Sequence, residues 1–579
     1  MKKIIYTGVL ALALGVGYVA SACTNFLFTK GATKDGSTMI TYAADSHTLY
    51  GELYYRKVAD YPAGTMFMLY DWDSGRPLFE IPQVAHTYSV VGNMNEHQLA
   101  IGETTYGGRP LSNKVGIDYG SLIYVTLQRA KNAREAIQVM ANLVAEYGYC
   151  SSGESFSIAD PNEVWIMELI GKGEAPCDTI KGVPVVKKEF KKINCKGAVW
   201  VARRIPDGYV CGHANQARIT TFPLEVKKSH KSITSKNFKY LYEPEVECVY
   251  SEDVITFARA KGYFDGKDED FSFADAYAPL SFGGMRGCDA RVYAMFARVK
   301  SGIRDQYADY ALGRNPDNRL PLWIKPDHQV TVREVMNLMR DHYEGTPLDM
   351  SQDCGGGPFN CPYRWRPMDW KSGDHSYVHE RATSTQQTGF SFVAQCRSWL
   401  PAKIGGILWF GVDDTYSTVY CPMYCGITEI PECFRVGNGD MITYSETSAF
   451  WLFNRVTNFV YSRYKDMIVD LQRVQNRLED GFVADVAKND ARVKNASEAE
   501  LATLLNDFSG RQAAKMMKDW KWLDQFLLVK YIDGNIKHDD NGVFKRDQYG
   551  HAEWPDQPEY PAWFYKQIVE DHGDVIIEK

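Results

Sequence analysis

The sequence lacks the features of disordered, fibrous or membrane-spanning proteins. No low-complexity tract and no internal repeat interrupts its 579 residues, and beyond the N-terminal segment no stretch offers about 18 consecutive apolar residues. Hydrophobic residues make up 45% of the chain and charged residues 24%, as in ordinary folded proteins. We therefore expect one large catalytic domain with appended structure, and no transmembrane segment in the mature chain.

The chain also lacks an excess of positive charge. Its formal net charge is -7, which argues against nucleic acid as a partner. No Gly-x-Ser-x-Gly motif points to a serine hydrolase. His375 and His379 precede Glu380, whereas metalloproteases place the glutamate between the two histidines. We predict no cofactor and no metal ion.

The first residues are typical of a secretory signal. Lys2 and Lys3 precede an apolar stretch over residues 4–14. Two small residues, Ala20 and Ala22, follow with one residue between them, as at a signal-peptide cleavage site. This pattern directs cleavage after Ala22 and leaves Cys23 as the first mature residue. The protein is therefore expected to be exported, with a periplasmic, secreted or cell-surface location.

Two other interpretations of Cys23 stay open. In a lipoprotein, the thiol would be lipidated and would serve as a surface anchor. A lipoprotein signal usually has a branched apolar residue three places before the cysteine, where this chain has Ala20. Alternatively, Cys23 could be one half of a structural disulfide.

The cysteine count favours a special role for Cys23. There are 13 cysteines, so an even dozen remains for disulfides in an oxidising compartment. Local pairs such as Cys354 with Cys361, or Cys177 with Cys195, are plausible, although spacing alone cannot give the connectivity. The alternative is zinc bound by the cysteines at 421, 425 and 433, which have neither a second pair nor a histidine at ligand spacing.

Periodicity predicts interleaved strands and helices. Residues 23–42 alternate around a Lys-Asp-Gly turn and predict a β-hairpin, and short apolar runs predict further strands up to residue 211 and again over 391–430. Helical spacing occurs within 117–147 and 497–534. A stripe at steps of three and four predicts one long helix through Val460, Tyr464, Met467, Leu471, Val474, Leu478 and Phe482.

An N-terminal cysteine combines two reactive groups in one residue. Its thiol has a reference pKa of about 8.5, and its α-amine, near 8, can serve as the base that activates the thiol. The resulting thiolate would attack a carbonyl and form a thioester that water hydrolyses. Such chemistry needs a donor for the oxyanion and an acceptor that holds the amine.

Several segments resemble PepD-type dipeptidases of the N-terminal-nucleophile (Ntn) hydrolase superfamily. The similar segments occur in the same order along most of the mature chain. They are CTNFLFTKGATKDGSTMITYAADS at 23–46, GNMNEHQLAIGETT at 92–105, SIADPNEVWIMELIGKG at 157–173, WVARRIPDGYVCGHANQARI at 200–219, RSWLPAKIGGILWFGVDD at 397–414 and FNRVTNFVYSRY at 453–464.

The resemblance implies a role for each of four residues. Cys23 falls on the nucleophile, Asp45 on the carboxylate near its amine, Asn215 on the oxyanion-hole amide and Arg291 on a late supporting arginine. Ordinary explanations compete: a turn cap for Asp45, a turn residue for Asn215 and a structural ion pair for Arg291. Relatives often have an arginine where this chain has Tyr42, and Arg291 or Arg109 could replace it.

The resemblance also implies an α+β fold, a four-layer αββα sandwich with a helical C-terminal extension. The implied boundaries are a signal peptide at 1–22, the catalytic domain at 23–444 and the extension and tail at 445–579. The implied reaction is hydrolysis of a dipeptide or small peptide, and a homo-oligomer is compatible with the sequence. Two alternatives stay open: cleavage of another amide, such as a bile-salt conjugate, a penicillin-type side chain or an acyl-homoserine lactone, and a lipidated surface binding protein.

Overall fold

The computed structural model describes residues 23–109, 115–173, 177–180, 183–186 and 195–578. The predicted signal peptide at 1–22 lies outside the described residues. The described chain mixes α-helices with two large β-sheets and several two-stranded ribbons.

The first large sheet, sheet A, has seven strands, and each is antiparallel to its neighbours. The strand that begins two residues after Cys23 lies inside this sheet, so both of its edges are hydrogen-bonded. In spatial order, the strands are Trp323–Ile324, Val210–His213, Asn25–Phe28, Thr38–Asp45, Thr388–Cys396, Gly406–Val412 and Cys421–Tyr424.

The second, sheet B, has nine strands, and only the pair at one edge, Ser232–Thr234 with Cys248–Tyr250, is parallel. In spatial order, its strands are Ser232–Thr234, Cys248–Tyr250, Ala198–Arg204, Val164–Gly171, Gly153–Ala159, Ala100–Gly107, Met94–Asn95, Val90–Val91 and Tyr55–Arg56. The ribbons pair Ala59–Asp60 with His86–Thr87, Met66–Tyr70 with Pro77–Pro82, Cys177–Ile180 with Val183–Val186, Asp369–Ser372 with His375–Val378 and Asp539–Asp540 with Val543–Phe544.

Sheet B buries both of its faces, and side-chain alternation divides its apolar residues between two layers. Trp165 and Met167 belong to the cluster that includes helix Ala133–Tyr147. Ile166, between them, belongs to the cluster that includes strand Thr38–Asp45 of sheet A. Sheet B therefore lies between a helical layer and sheet A.

Helices also pack against sheet A, chiefly from the C-terminal part of the chain. The α-helices are Tyr119–Arg129, Ala133–Tyr147, Val254–Ala260, Phe273–Tyr277, Ala290–Val299, Ile303–Gln306, Ala308–Ala311, Val332–Leu338, Ala402–Gly405, Ala449–Ser462, Tyr464–Val493, Glu498–Tyr531 and Ala562–His572. A π-helical turn over Gly284–Asp289 leads directly into Ala290–Val299.

The predicted hairpin is confirmed, since Asn25–Phe28 pairs with Thr38–Asp45. Its turn contains Gly36 at φ +76°, a left-handed conformation that glycine adopts without a Cβ clash. The predicted stripe from Val460 to Phe482 is buried along its length, but the helix is interrupted at Arg463, whose φ is -144°. Because the Arg463 guanidinium bonds both Asp466 and the Gly534 carbonyl, this arginine is held at the break.

The C-terminal helices share their hydrophobic core with sheet A. Glu479, fully buried on helix Tyr464–Val493, bonds the guanidinium groups of Arg333 and Arg340. The same carboxylate accepts the backbone N–H of Tyr420 at 2.9 Å, just before the edge strand of sheet A. Residues after 445 are therefore held to the sheet by a buried, fully hydrogen-bonded carboxylate.

The predicted disulfide between Cys354 and Cys361 is not formed, and no disulfide occurs in the described part of the chain. The buried thiols are satisfied in another way. Cys396 and Cys425, for example, donate to the backbone carbonyls of Gln98 and Ala402 at 3.1 and 3.3 Å. The side chain of Cys177, half of the other suggested pair, lies outside the described residues. Among the helices the structure describes, none combines the length and apolarity needed to cross a bilayer.

Candidate active site

Cys23 lies at the start of a central strand of sheet A. The next residue, Thr24, exchanges two backbone hydrogen bonds with Ala43, at 3.3 and 3.0 Å. This bridge brings Cys23 beside the end of strand Thr38–Asp45, where a bulge between Ala44 and Asp45 shifts the register against strand Thr388–Cys396. A bulge re-aims the residues around it, and such features are frequent next to active sites.

The Cys23 sulfur faces sheet B in a buried position, with only 1% of the residue exposed. Its Sγ lies 3.6 Å from Glu103 Oε1 and 3.7 Å from the Tyr42 hydroxyl. Tyr42 in turn donates to Glu103 Oε1 at 2.5 Å. Tyr42 therefore joins the thiol to a carboxylate from the facing sheet.

Glu103 belongs to a pair of buried carboxyl groups on adjacent strands of sheet B. Its partner, Glu154, accepts the Thr105 hydroxyl at 2.8 Å. Burial and the nearby Glu103 raise the pKa of Glu154 well above its usual range, because two adjacent buried carboxylates cannot both ionise readily. Burial also raises the pKa of Glu103, but hydrogen bonds with Glu154, Tyr42 and Cys23 oppose that shift, so Glu154 is the member of the pair that keeps its proton to higher pH.

The surroundings of the sulfur disfavour a thiolate. Burial, and then the charges of Glu103 and Asp45, raise the pKa of the Cys23 thiol well above its ordinary value. Hydrogen bonding with the Asp45 backbone and with Tyr42 lowers this pKa, but these effects are smaller. The thiol is therefore neutral near pH 7 and requires a base before it can attack a substrate.

Asp45 is completely buried, and two long-range partners fix its carboxylate. Oδ1 accepts the Thr388 hydroxyl at 2.6 Å, and Oδ2 forms an ion pair with Arg381. Burial raises the pKa of Asp45, while the charge of Arg381 opposes that shift. Asp45 is therefore not a simple turn cap, because its carboxylate binds residues of a neighbouring strand and of a loop that is distant in the sequence.

Arg291, only 1% exposed on helix Ala290–Val299, connects the nucleophile to the loop that contains Asn215. Nη1 donates to the Cys23 carbonyl at 2.7 Å and to the Thr24 hydroxyl at 2.8 Å. Nη2 donates to Asn215 Oδ1 at 2.8 Å and also bonds the carbonyls of Ala214 and Gly287. All five acceptors are neutral, so these contacts of Arg291 are hydrogen bonds and do not include the structural ion pair that was the alternative explanation.

Asn215 adopts the left-handed backbone conformation, with φ +56°, which asparagine tolerates better than most residues. Its Nδ2 donates to the Thr105 carbonyl at 2.6 Å, so the side chain spans from Arg291 to sheet B. Asn215 also lines two neighbouring clefts, of ≈320 and ≈340 Å³, which share Cys288 as a second common lining residue.

The structure thus brings the four predicted site residues into one neighbourhood. Arg291 contacts Cys23 and Asn215 directly, and the Asp45 backbone hydrogen-bonds to Cys23. Of the two arginines suggested as substitutes at the Tyr42 position, Arg291 reaches the Cys23 carbonyl. Arg109 instead bonds the Ala276 carbonyl and stacks on a tyrosine ring.

A buried histidine near the site does not supply the base. His213 lies between Thr104 and Ser157, with its two ring nitrogens 2.8 and 2.7 Å from their hydroxyl oxygens. Burial and Arg218 lower the pKa of His213 to about 3, so the ring remains neutral at physiological pH. The contacts of Cys23 through its sulfur are instead with Tyr42, Glu103 and the Asp45 backbone.

Comparison with known proteins assigns the chain to a peptidase family. The sequence model of peptidase family C69 matches residues 79–477, a range that contains Glu103, Asn215 and Arg291 and begins after Cys23 and Asp45. The chain is 22% identical to a probable dipeptidase B of Streptococcus pyogenes serotype M1, over 86% of this chain and 90% of the relative.

Two further relatives cover similar shares of the chain. A probable dipeptidase of Salmonella dublin is 23% identical, over 74% of this chain and 86% of the relative. A probable dipeptidase of Latilactobacillus sakei is 20% identical, over 89% of this chain and 98% of the relative. Since the family match extends over more than half of its length, the chain belongs to peptidase family C69.

Proposed function

We propose that this protein is an exported cysteine dipeptidase whose nucleophile, Cys23, becomes the N-terminal residue when the leader is removed. The observation that carries the proposal is the position of Cys23: its thiol is buried at the start of a central strand, beside Asp45 and bound through its carbonyl to Arg291. The family match and the dipeptidase names of three relatives support the substrate class.

Cleavage after Ala22 would create the missing base. The new α-amine takes the thiol proton, and Sγ then attacks the scissile carbonyl to form a tetrahedral intermediate. Collapse of this intermediate breaks the C–N bond, returns the proton to the leaving amine and leaves a thioester on Cys23. Water hydrolyses the thioester, which releases the first amino acid and restores the thiol.

Each of the other three residues has a role in this scheme. Asp45, fixed by Arg381 and Thr388, holds the protonated amine that forms during the reaction. The Asn215 amide supplies a hydrogen-bond donor to the oxyanion, at the mouth of the substrate cleft. Arg291 is a positioning residue, because it acts on the nucleophile through the Cys23 backbone carbonyl.

The arrangement of the two sheets supports assignment of the fold to the αββα sandwich of Ntn hydrolases. Strands Ala100–Gly107 and Gly153–Ala159 of sheet B contact strands Asn25–Phe28 and Thr38–Asp45 of sheet A. Helices pack on the far side of each sheet. In this arrangement the nucleophile lies between the two sheets, which is where the Cys23 sulfur meets Glu103.

The burial of Cys23 argues against the lipidated binding protein. A lipid anchor must leave the protein surface, whereas this sulfur contacts Tyr42 and Glu103 in the interior. The intact mass of the exported protein tests this point together with the mechanism. We expect a chain that begins at Cys23 without acyl mass; acyl mass on Cys23, or a different first residue in the active enzyme, would refute the proposal.

A substrate panel tests the reaction itself. Purified mature protein is expected to hydrolyse free dipeptides in preference to bile-salt conjugates, penicillin V and acyl-homoserine lactones, measured by release of free amine or amino acid. Faster turnover of one of the other amides would identify that amide as the substrate, with the same catalytic mechanism.

Glu103→Gln should distinguish the α-amine from Glu103 as the base. A negative charge stabilises protonated groups around it, so removing the Glu103 charge should lower the pKa of the Cys23 thiol and of the α-amine on the same residue. The acidic limb of kcat/KM, which reports deprotonation of the amine, should therefore move to lower pH. If the α-amine is the base, the activity of Glu103→Gln should stay within about tenfold of wild type at the pH optimum. Loss of the general base itself typically lowers the rate about 10²–10⁴-fold. The measurement is kcat/KM from pH 5 to 9, with the rate of iodoacetamide alkylation in parallel.

Glu154→Gln is the matched control for Glu103→Gln. It removes the protonated member of the same pair and leaves the charged carboxyl beside Cys23. The acidic limb should therefore not move to lower pH in this variant. A loss of several orders of magnitude in Glu103→Gln alone would instead make Glu103 the base.

A further inference from the structure

The ≈320 Å³ cleft beside Asn215 is lined by four arginines, and three of them are already held by ion pairs or by several hydrogen bonds. Arg286 forms an ion pair with Glu380, Arg381 with Asp45, and Arg291 donates to five neutral oxygens around the nucleophile. These three side chains therefore build the wall of the cleft.

The fourth, Arg366, differs in its surroundings. It is exposed to the cleft, and within the described residues it forms no ion pair; its Nε and Nη2 both donate to the neutral Oε1 of Gln387, with Nε at 2.8 Å. Burial, and then the charge of Arg381, lower the pKa of Arg366, while the Asp45 carboxylate opposes that shift. An exposed guanidinium that donates to a neutral amide oxygen is suited to bind an anion from outside the protein.

Gln387 places Arg366 at the catalytic end of the cleft. The Gln387 carbonyl accepts the backbone N–H of Ser46 at 2.9 Å, and the next residue, Thr388, bonds the Asp45 carboxylate. The guanidinium is therefore fixed by the residues that flank Asp45. The same cleft is lined by the apolar side chains of Phe282, Met368 and Val378, and Asp369 and His379 also border it.

We propose that Arg366 binds the free α-carboxylate of the substrate's C-terminal residue, while that residue's side chain packs on the apolar side chains of the cleft. This proposal deepens the proposed function and rests on it. In a dipeptide, the carboxylate lies one residue beyond the scissile bond, so a guanidinium that binds this carboxylate would select for substrate length. A cleft volume of ≈320 Å³ is small for a ligand site, in keeping with a single apolar residue.

The test compares leucylleucine with its C-terminal amide, which lacks the negative charge. Wild type should have a kcat/KM about 10- to 100-fold higher for the free dipeptide, the range of a charge-assisted hydrogen-bonded pair. Arg366→Gln should lose that advantage through a higher KM for the free dipeptide. Arg366→Lys, which keeps the charge but not the two-pronged geometry, should recover part of the preference.

Arg109→Gln is the matched control, because Arg109 is a cation of the adjacent cleft and bonds a backbone carbonyl. The ratio between the two substrates should not change in this variant. Equal use of both substrates by wild type, or an equal loss on both in Arg366→Gln, would overturn the proposal.

A binding experiment separates this proposal from the proposed function. In a Cys23→Ala background, leucylleucine should bind about 10- to 100-fold more tightly than its amide, and adding Arg366→Gln should remove the difference, as measured by calorimetry. If wild type hydrolyses neither compound while this difference in binding persists, the dipeptidase function fails and the carboxylate site stands. Equal affinities would refute the carboxylate site, whatever the turnover.

Discussion

Replacement of Cys23 by alanine is expected to abolish dipeptide hydrolysis, with a loss of about 10⁴-fold or more. The substitution removes the only atom that forms the thioester in the proposed mechanism. Cys23→Ser keeps the α-amine but has a hydroxyl that is far harder to deprotonate, so it should lose most of its turnover as well. The measurements are kcat/KM for both variants and the intact mass of each, which verifies that the leader has been removed.

The Cys23→Ala variant should retain its fold. The contacts of Sγ with Tyr42 and Glu103 are long, at 3.7 and 3.6 Å, so their loss costs little stability. Cys248→Ala is the matched control: it removes a thiol that is equally buried, on sheet B, and should keep its activity. Full activity in correctly processed Cys23→Ala would disprove the mechanism.

Arg291→Met should have the second largest effect, on both stability and turnover. It leaves the Cys23 carbonyl and Asn215 Oδ1 without their buried donor, and each buried acceptor left unsatisfied typically costs about 1–3 kcal/mol. Because the nucleophile and the oxyanion donor would lose their common anchor, we expect kcat to fall about 10²-fold or more. Thermal unfolding and Michaelis kinetics at a temperature where the variant is folded provide the measurements.

The division between kcat and KM reveals how Arg291 acts. A positioning role predicts a lower kcat with a nearly unchanged KM, whereas direct substrate binding predicts a higher KM. Arg340→Met is the matched control, because Arg340 is a buried arginine that bonds Glu479 at 2.5 Å. It should lower the unfolding temperature and preserve kcat. An Arg291→Met enzyme with wild-type kcat would exclude the positioning role.

Local sequence patterns were sufficient for the elements whose signal is local. The alternation around Lys34-Asp35-Gly36 predicted the hairpin Asn25–Phe28 with Thr38–Asp45, and the stripe from Val460 to Phe482 identified the buried side of the C-terminal helices. The break at Arg463 escaped prediction, because its cause is a hydrogen bond to Gly534, which is 71 positions away.

The partners of the site residues could not be predicted in the same way. Asp45 is bound by Thr388 and Arg381, which are more than 300 positions away and meet it only because strand Thr388–Cys396 pairs with strand Thr38–Asp45. Glu103 did leave a signal. It is a carboxylate within the largely apolar or small sequence Leu-Ala-Ile-Gly-Glu, and a charge in a buried strand indicates a functional or paired group.

The carboxylate of Glu479 sets a lower limit on the size of a working enzyme. A shortened chain that stops before helix Tyr464–Val493 would deprive Arg340 and the Tyr420 N–H of their acceptor in the interior. Each orphaned group costs about 1–3 kcal/mol, a large share of the roughly 5–15 kcal/mol that keeps a typical protein folded. The nucleophile strand and the distal helices are therefore expected to melt together, as one cooperative unit.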